Sequence, residues 1–139
     1  MSIQSNVEVR TEWGIVSARQ AGRSLAKKIG FESVDQSRIT TAISELARNI
    51  YLYAGIGEII MEPVEQEATP SSPYRRGIRI IARDKGPGIH NIREVMEDGF
   101  TTSGGLGAGL PGVKRLMDEF EIESTVGEGT EVRVIKWLR

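Results

Sequence analysis

Three short segments hold residues whose types and spacing could do chemistry. In Glu45-Leu-Ala-Arg-Asn49 a carboxylate and a neutral amide stand four residues apart, so on a helix they share one line, a turn apart. The amide oxygen can join a Mg²⁺ shell beside phosphate oxygens and water, and the carboxylate can take a proton from an attacking hydroxyl. A solvated helix edge fits the same spacing. In Asp84-Lys-Gly86-Pro-Gly88 an acid follows an apolar run. Such an acid can accept a hydrogen bond from an exocyclic amine while the glycines let the backbone come close to a flat ligand; an ordinary turn is the alternative. The third segment, Gly104-Gly-Leu-Gly-Ala-Gly-Leu110, offers consecutive backbone N–H groups at the start of a helix, a ready cradle for phosphate.

These segments need elements to hold them, and the periodicity supplies a set. Val7 and Val9 alternate with polar neighbours over 5–10, a short strand. Ile15, Ala18, Gly22, Leu25 and Ile29 then recur at helical steps, with Gly30 as C-cap. Ser33 and Gln36 fit a capping box that opens a second helix. Its stripe of Ile39, Ile43, Leu46, Ile50 and Tyr53 runs until Gly55 and carries Glu45 and Asn49 on its edge. Strands are expected at 58–64, with Pro63 marking an edge or an ending, and at 77–83, joined by the polar segment 65–76. A short helix at about 91–98, a helix opened by Pro111, and strands at about 119–125 and 130–138 around the turn Val126-Gly-Glu-Gly129 complete the chain. Strands and helices in this order predict an α+β fold, a mixed, mostly antiparallel sheet with helices on one face.

Composition removes several function classes. At 139 residues the chain is expected to be a single domain, 1–139. It has no cysteine and one histidine, which excludes thiol nucleophiles, sulfur-based zinc sites and multi-histidine metal sites. Eighteen Lys and Arg against nineteen Asp and Glu leave no basic excess for nucleic acid. No run approaches the ~20 apolar residues of a membrane span, and no secretory leader is visible; a cytoplasmic domain, bound to neither membrane nor nucleic acid, is expected. Eight of the sixteen glycines fall between Gly86 and Gly112, which marks a backbone-built site. Gly107-Ala-Gly-Leu-Pro-Gly112 is formally GxGxxG, but no strand leads into it, so a dinucleotide-binding unit is excluded.

ELARN, DKGPG and SGGLGAGLPG, in this order, resemble the N box and the two glycine boxes of the GHKL ATPase/kinase superfamily. DQSRITTAISELARNIYLYAG and VMEDGFTTSGGLGAGLPGVKRLMDEF resemble, more narrowly, the RsbT-type family of stressosome switch kinases. The resemblance covers the whole chain. It implies the Bergerat sandwich, use of ATP with Mg²⁺, and serine/threonine kinase activity on STAS-domain proteins of the stressosome. Release and binding to a PP2C-type phosphatase would follow, in a partner-switching stress response. It also implies Asn49 as Mg²⁺ ligand and Glu45 as catalytic base. Asp84 and Thr130 would bind adenine, Gly86 and Gly88 shape the base pocket, and Gly105, Gly107 and Gly109 lie against the phosphates. Leu52 stands where histidine kinases carry a basic residue, and His90 reads as a surface loop residue, not a phosphoacceptor. A non-catalytic, nucleotide-gated binding module is the competing reading. The uncharged glycine-rich segment is expected to order when phosphate supplies acceptors.

Overall fold

A computed structural model describes residues 4–97 and 109–139. Most of the second glycine box, including Gly105 and Gly107, lies outside the described residues, and with it the expectation about ordering. The elements are β1 (Ser5–Val9), α1 (Glu12–Ile29), α2 (Ser33–Asn49), a π-helical turn (Ile50–Ala54), β2 (Gly57–Gln66) and β3 (Arg75–Asp84). A single helical turn α3 (Ile92–Val95), α4 (Gly109–Leu116), β4 (Glu119–Thr125) and β5 (Gly129–Trp137) follow. The strands form one sheet in the order β1-β2-β3-β5-β4, and every neighbouring pair is antiparallel. The α+β class is as expected, with no parallel pairing among the described residues.

Alternation assigns the two sheet faces. Val9, Ile59, Met61, Ile78, Ile80, Val132 and Val134 point to the helices and pack with Ile39, Ile43 and Leu46 of α2 and Val113 of α4 in one buried cluster. Burying each such side chain contributes roughly 1.5–3 kcal/mol. The other face carries Glu58, Glu62, Arg79, Arg83, Glu131 and Arg133, which form ion pairs, Arg79 and Arg83 across strands and Arg133 with Glu131 along β5.

Local details depart from the sequence expectations. The capping box does not form: Glu32 occupies the N-cap position and makes no side-chain cap. The helix starts one residue earlier than the box requires, and the Gln36 amide instead donates to the Phe31 carbonyl at 2.8 Å. The α-helix also does not run to Tyr53. It widens at Ile50 into the π-turn, closed by the Gly55 N–H donating to the Ile50 carbonyl at 2.8 Å. The extra residue per turn carries Tyr53 off the apolar stripe, leaving it 44 % exposed. β2 and β3 are longer than expected, and Pro63 lies inside β2 opposite Ile78. β1 pairs β2 only as far as Met61, so Pro63 sits where β2 is locally an edge.

Candidate functional site

At one end of the sheet, between α2, the π-turn, the segment after β3 and the start of α4, lies a cavity of about 410 Å³. Asn49, Asp84, Gly88, Gly109 and Thr130 all line it, together with Leu46, Ile50, Ala82 and Val132, so its wall is largely apolar. The structure thus brings together five of the residues singled out, from four distant segments. Gly86 and Glu45 do not line the cavity, and each has a different position.

Glu45 is not on a solvated helix edge. It is 2 % exposed, with Oε1 held by Arg48 Nη1 at 3.1 Å. Its Oε2 is buried and has no hydrogen-bond partner among the described residues. Burial pushes the carboxyl above its ordinary 4.5; the Arg48 charge and the Gly109 backbone pull it down without cancelling that rise. A buried oxygen with an unused lone pair and raised basicity is what a proton acceptor needs. One turn on, Asn49 faces the cavity, and its side chain makes no hydrogen bond among the described residues. The N-terminal end of α4 begins at Gly109, beside this pair.

Asp84 ends β3, directly opposite Thr130 on β5. Its Oδ1 accepts the Gly86 N–H at 2.8 Å, which turns the chain sharply and leaves Oδ2 available. The two glycines after it serve close approach of protein to protein. A Cβ on Gly86 would fall 2.6 Å from Ala54 Cβ on the π-turn, and one on Gly88 would fall 2.5 Å from the Thr125 carbonyl. Gly88 also has φ +80°, which disfavours any side chain. The loop is pinned again by Gly127 N–H donating to the Pro87 carbonyl at 2.8 Å. Ser124, opposite Thr130 on β4, and the cavity-wall residues Asn91 and Glu94 carry no signal in the sequence, and Tyr53, read there as part of the apolar stripe, also stands at the wall. His90 is exposed, as expected, but stands at this wall.

The donor set suits magnesium of the kind that borrows ligands. No cluster of three or more His, Asp or Glu side chains able to hold a metal occurs among the described residues. A neutral amide facing the cavity, with no side-chain hydrogen bond among the described residues, fits an ion that takes its remaining ligands from phosphate and water.

Comparison with known proteins gives the class of this helix-backed antiparallel sheet with a pocket at its end: an ATPase domain. Residues 10–136 match the family model for the histidine kinase-like ATPase domain. The serine/threonine-protein kinase RsbT of Bacillus subtilis (strain 168) is 65 % identical over 139 residues, all of both chains. An anti-sigma F factor of Caldanaerobacter subterraneus subsp. tengcongensis is 32 % identical over 103 residues, 72 % of this chain and 68 % of the relative. A crystal structure of RsbU and RsbW domains from Mycobacterium tuberculosis matches with TM-score 0.63 at 16 % identity. It covers all of this chain and 33 % of the other, and it supports the fold alone.

The chain belongs to the histidine kinase-like ATPase family. Within that family it is a serine/threonine-protein kinase homologue over its full length, which implies that it binds ATP and acts with protein partners. No helix among the described residues is long and apolar enough to cross a membrane.

Proposed function

We propose that the chain, as one domain spanning 1–139, is a cytoplasmic kinase that transfers phosphate from MgATP to a serine or threonine of a STAS-domain stressosome protein. Once released, it engages a PP2C-type phosphatase. The observation that carries the catalytic part is Glu45: a buried carboxylate with one oxygen that has no partner among the described residues, a turn from an amide that faces the cavity. A domain that only bound nucleotide would have no use for an unsatisfied buried acid, which costs about 1–3 kcal/mol or more.

In this reading Glu45 Oε2 takes the proton of the partner's hydroxyl as that oxygen bonds to the γ-phosphorus and ADP leaves. Asn49 would hold a magnesium ion, which would supply neutralisation of the charge on the phosphates. Asp84 Oδ2 accepts from the adenine amino group beside Thr130, and Gly86 and Gly88 fix the loop that forms the base pocket. Gly109, at the start of α4, lies along the phosphates, where backbone N–H groups and the helix dipole favour anions, and Gly105 and Gly107 are assigned to the phosphates with it.

The test is incubation with labelled MgATP and a STAS-domain partner, followed by acid treatment and residue identification. Acid-stable phosphoserine or phosphothreonine is expected on the partner. Nucleotide-dependent partner binding without any transfer would establish the binding-module reading instead. Acid-labile label on His90 would place the chain with the histidine kinases.

A further inference from the structure

The β4–β5 register places Ser124 beside Thr130, and the Ser124 hydroxyl has three neighbours. The Ile89 N–H lies 2.8 Å from Oγ, the Gly129 carbonyl 3.1 Å, and Thr130 Oγ1 2.8 Å. Only one arrangement of protons satisfies all three. A serine hydroxyl has one proton and two lone pairs. The Ile89 N–H can only donate, so it takes one lone pair. The Gly129 carbonyl can only accept, so it takes the proton. One lone pair remains for Thr130, whose hydroxyl must therefore donate to Ser124.

That assignment decides what Thr130 offers the cavity. With its proton committed, Thr130 Oγ1 presents lone pairs alone. Asp84, its register partner on β3, presents a carboxylate oxygen. One exocyclic amine, with its two N–H groups, can donate to both of these acceptors, whereas a carbonyl in its place can donate to neither. The geometry points to Ser124 as a positioning residue that sets base selectivity: by holding the Thr130 proton, it makes the pocket favour 6-amino over 6-oxo purine nucleotides. The same hydroxyl ties the segment after Gly88, through Ile89, to the sheet. This inference rests on the reading of Asp84 and Thr130 as the base pocket.

Calorimetric titration of the full chain with ADP and with inosine diphosphate tests it. The wild type is expected to prefer ADP. Removing the hydroxyl in Ser124→Ala frees the Thr130 proton to turn towards a carbonyl, so the ADP-to-inosine-diphosphate affinity ratio should fall by about 3- to 10-fold, the size of one neutral hydrogen bond. Ser124→Thr should restore the ratio. A loss that weakens both nucleotides equally, ratio unchanged, is what a merely structural serine would give, and it overturns the inference. So does a wild type that binds both nucleotides alike. If Ser124→Ala does not fold, the pair Ser124→Thr and Ser124→Val carries the same comparison at constant shape, with the ratio expected to collapse only in the valine variant. A wild type that binds neither nucleotide overturns the base-pocket reading itself, an outcome distinct from an unchanged ratio.

Discussion

Two neighbouring rows cross the same three strands, one on each face of the sheet. The outer row is Arg83, Glu131 and Glu123, and the inner row, one residue along, is Asp84, Thr130 and Ser124. In the outer row Arg83 bridges Glu131 at 2.8 Å and Glu58 at 3.3 Å, and Arg133 bridges Glu131 and Glu123. Every charge there has a partner within the protein. The inner row instead keeps capacity in reserve, with one Asp84 oxygen and the Thr130 lone pairs turned to a cavity. Satisfied polar groups hold a fold together; polar groups left short of partners wait for a ligand. The inner side of the molecule is thus the one where substitutions should change chemistry, and the outer side the one where they should change little.

The largest effect is expected at Glu45, the extreme case of reserve capacity. Glu45→Gln keeps the shape and removes the base, so phosphoryl transfer should fall by roughly 10²- to 10⁴-fold, while ATP affinity measured by calorimetry stays close to wild type. Stability should move the other way. Burial, the main cause, raises the carboxyl's folded value above 4.5 against the Arg48 charge and the Gly109 backbone. Its contribution to stability is therefore complete at pH below the ordinary carboxylate range and is lost as pH rises through the raised value. Glutamine has no such loss, so denaturant unfolding should show the variant at least as stable as wild type at neutral pH, with the difference shrinking towards pH 4. A variant less stable at neutral pH would show that Glu45 serves the fold.

Asp84→Asn comes next. It replaces an acceptor by an amide that can present a donor to the base amine. With charged hydrogen bonds contributing about 1.5–3 kcal/mol, ADP affinity should drop by roughly 10- to 100-fold. Turnover at saturating ATP should be affected far less, because Asp84 is proposed to lie at the base and not at the phosphates.

Much of this division was legible in the sequence, and the misses have physical causes. Period-two and period-3.6 patterns placed the first strands and the two long helices, because burial on one face dictates them, and Pro111 and the turn at 126–129 marked the last helix and the closing strands. Pattern did not reveal that Glu45 is buried: it sits at the margin of the stripe, and the packing of α4 against α2 encloses it. The β4–β5 turn shows how small an error hides a residue. Read as the four residues 126–129, it opposes Thr125 to Thr130. The structure closes the hairpin one residue earlier, pairing Thr125 with Gly129, and so brings Ser124 to Thr130. A one-residue slip moves every side chain to the other face. The π-turn was hidden for a related reason, since Ile50 and Tyr53 suit an α-helix equally well and only tertiary contact with β2 and β3 selects the wider turn.

A smaller effect, and one confined to stability, is expected at Asp118, where the α4–β4 junction has no capacity to spare. Burial alone would raise its carboxyl, but the Trp137 N–H at 2.7 Å, with Arg139 and Lys136, brings it below its ordinary 3.8. Its contribution is present above the unfolded value and lost as pH falls through the lowered one. Asp118→Asn should cost about 1–3 kcal/mol at neutral pH, and the difference from wild type should narrow in acid. Nucleotide affinity should not change.

The smallest effect should come from Arg83→Met in the outer row, and it tests the comparison most directly because Arg83 is adjacent in sequence to Asp84. The guanidinium makes two ion pairs, but its side chain is 48 % exposed and salt screens it. Exposed pairs contribute about 0–1 kcal/mol each, and methionine keeps most of the apolar stem. Thermal unfolding should therefore shift by about 1 kcal/mol or less, and by less still in high salt. ADP affinity should match wild type, since Arg83 points to the face opposite the cavity. A loss of affinity comparable with that of Asp84→Asn would mean that the charged lattice on the outer face tunes the nucleotide site through the sheet, and the separation of the two rows would fail.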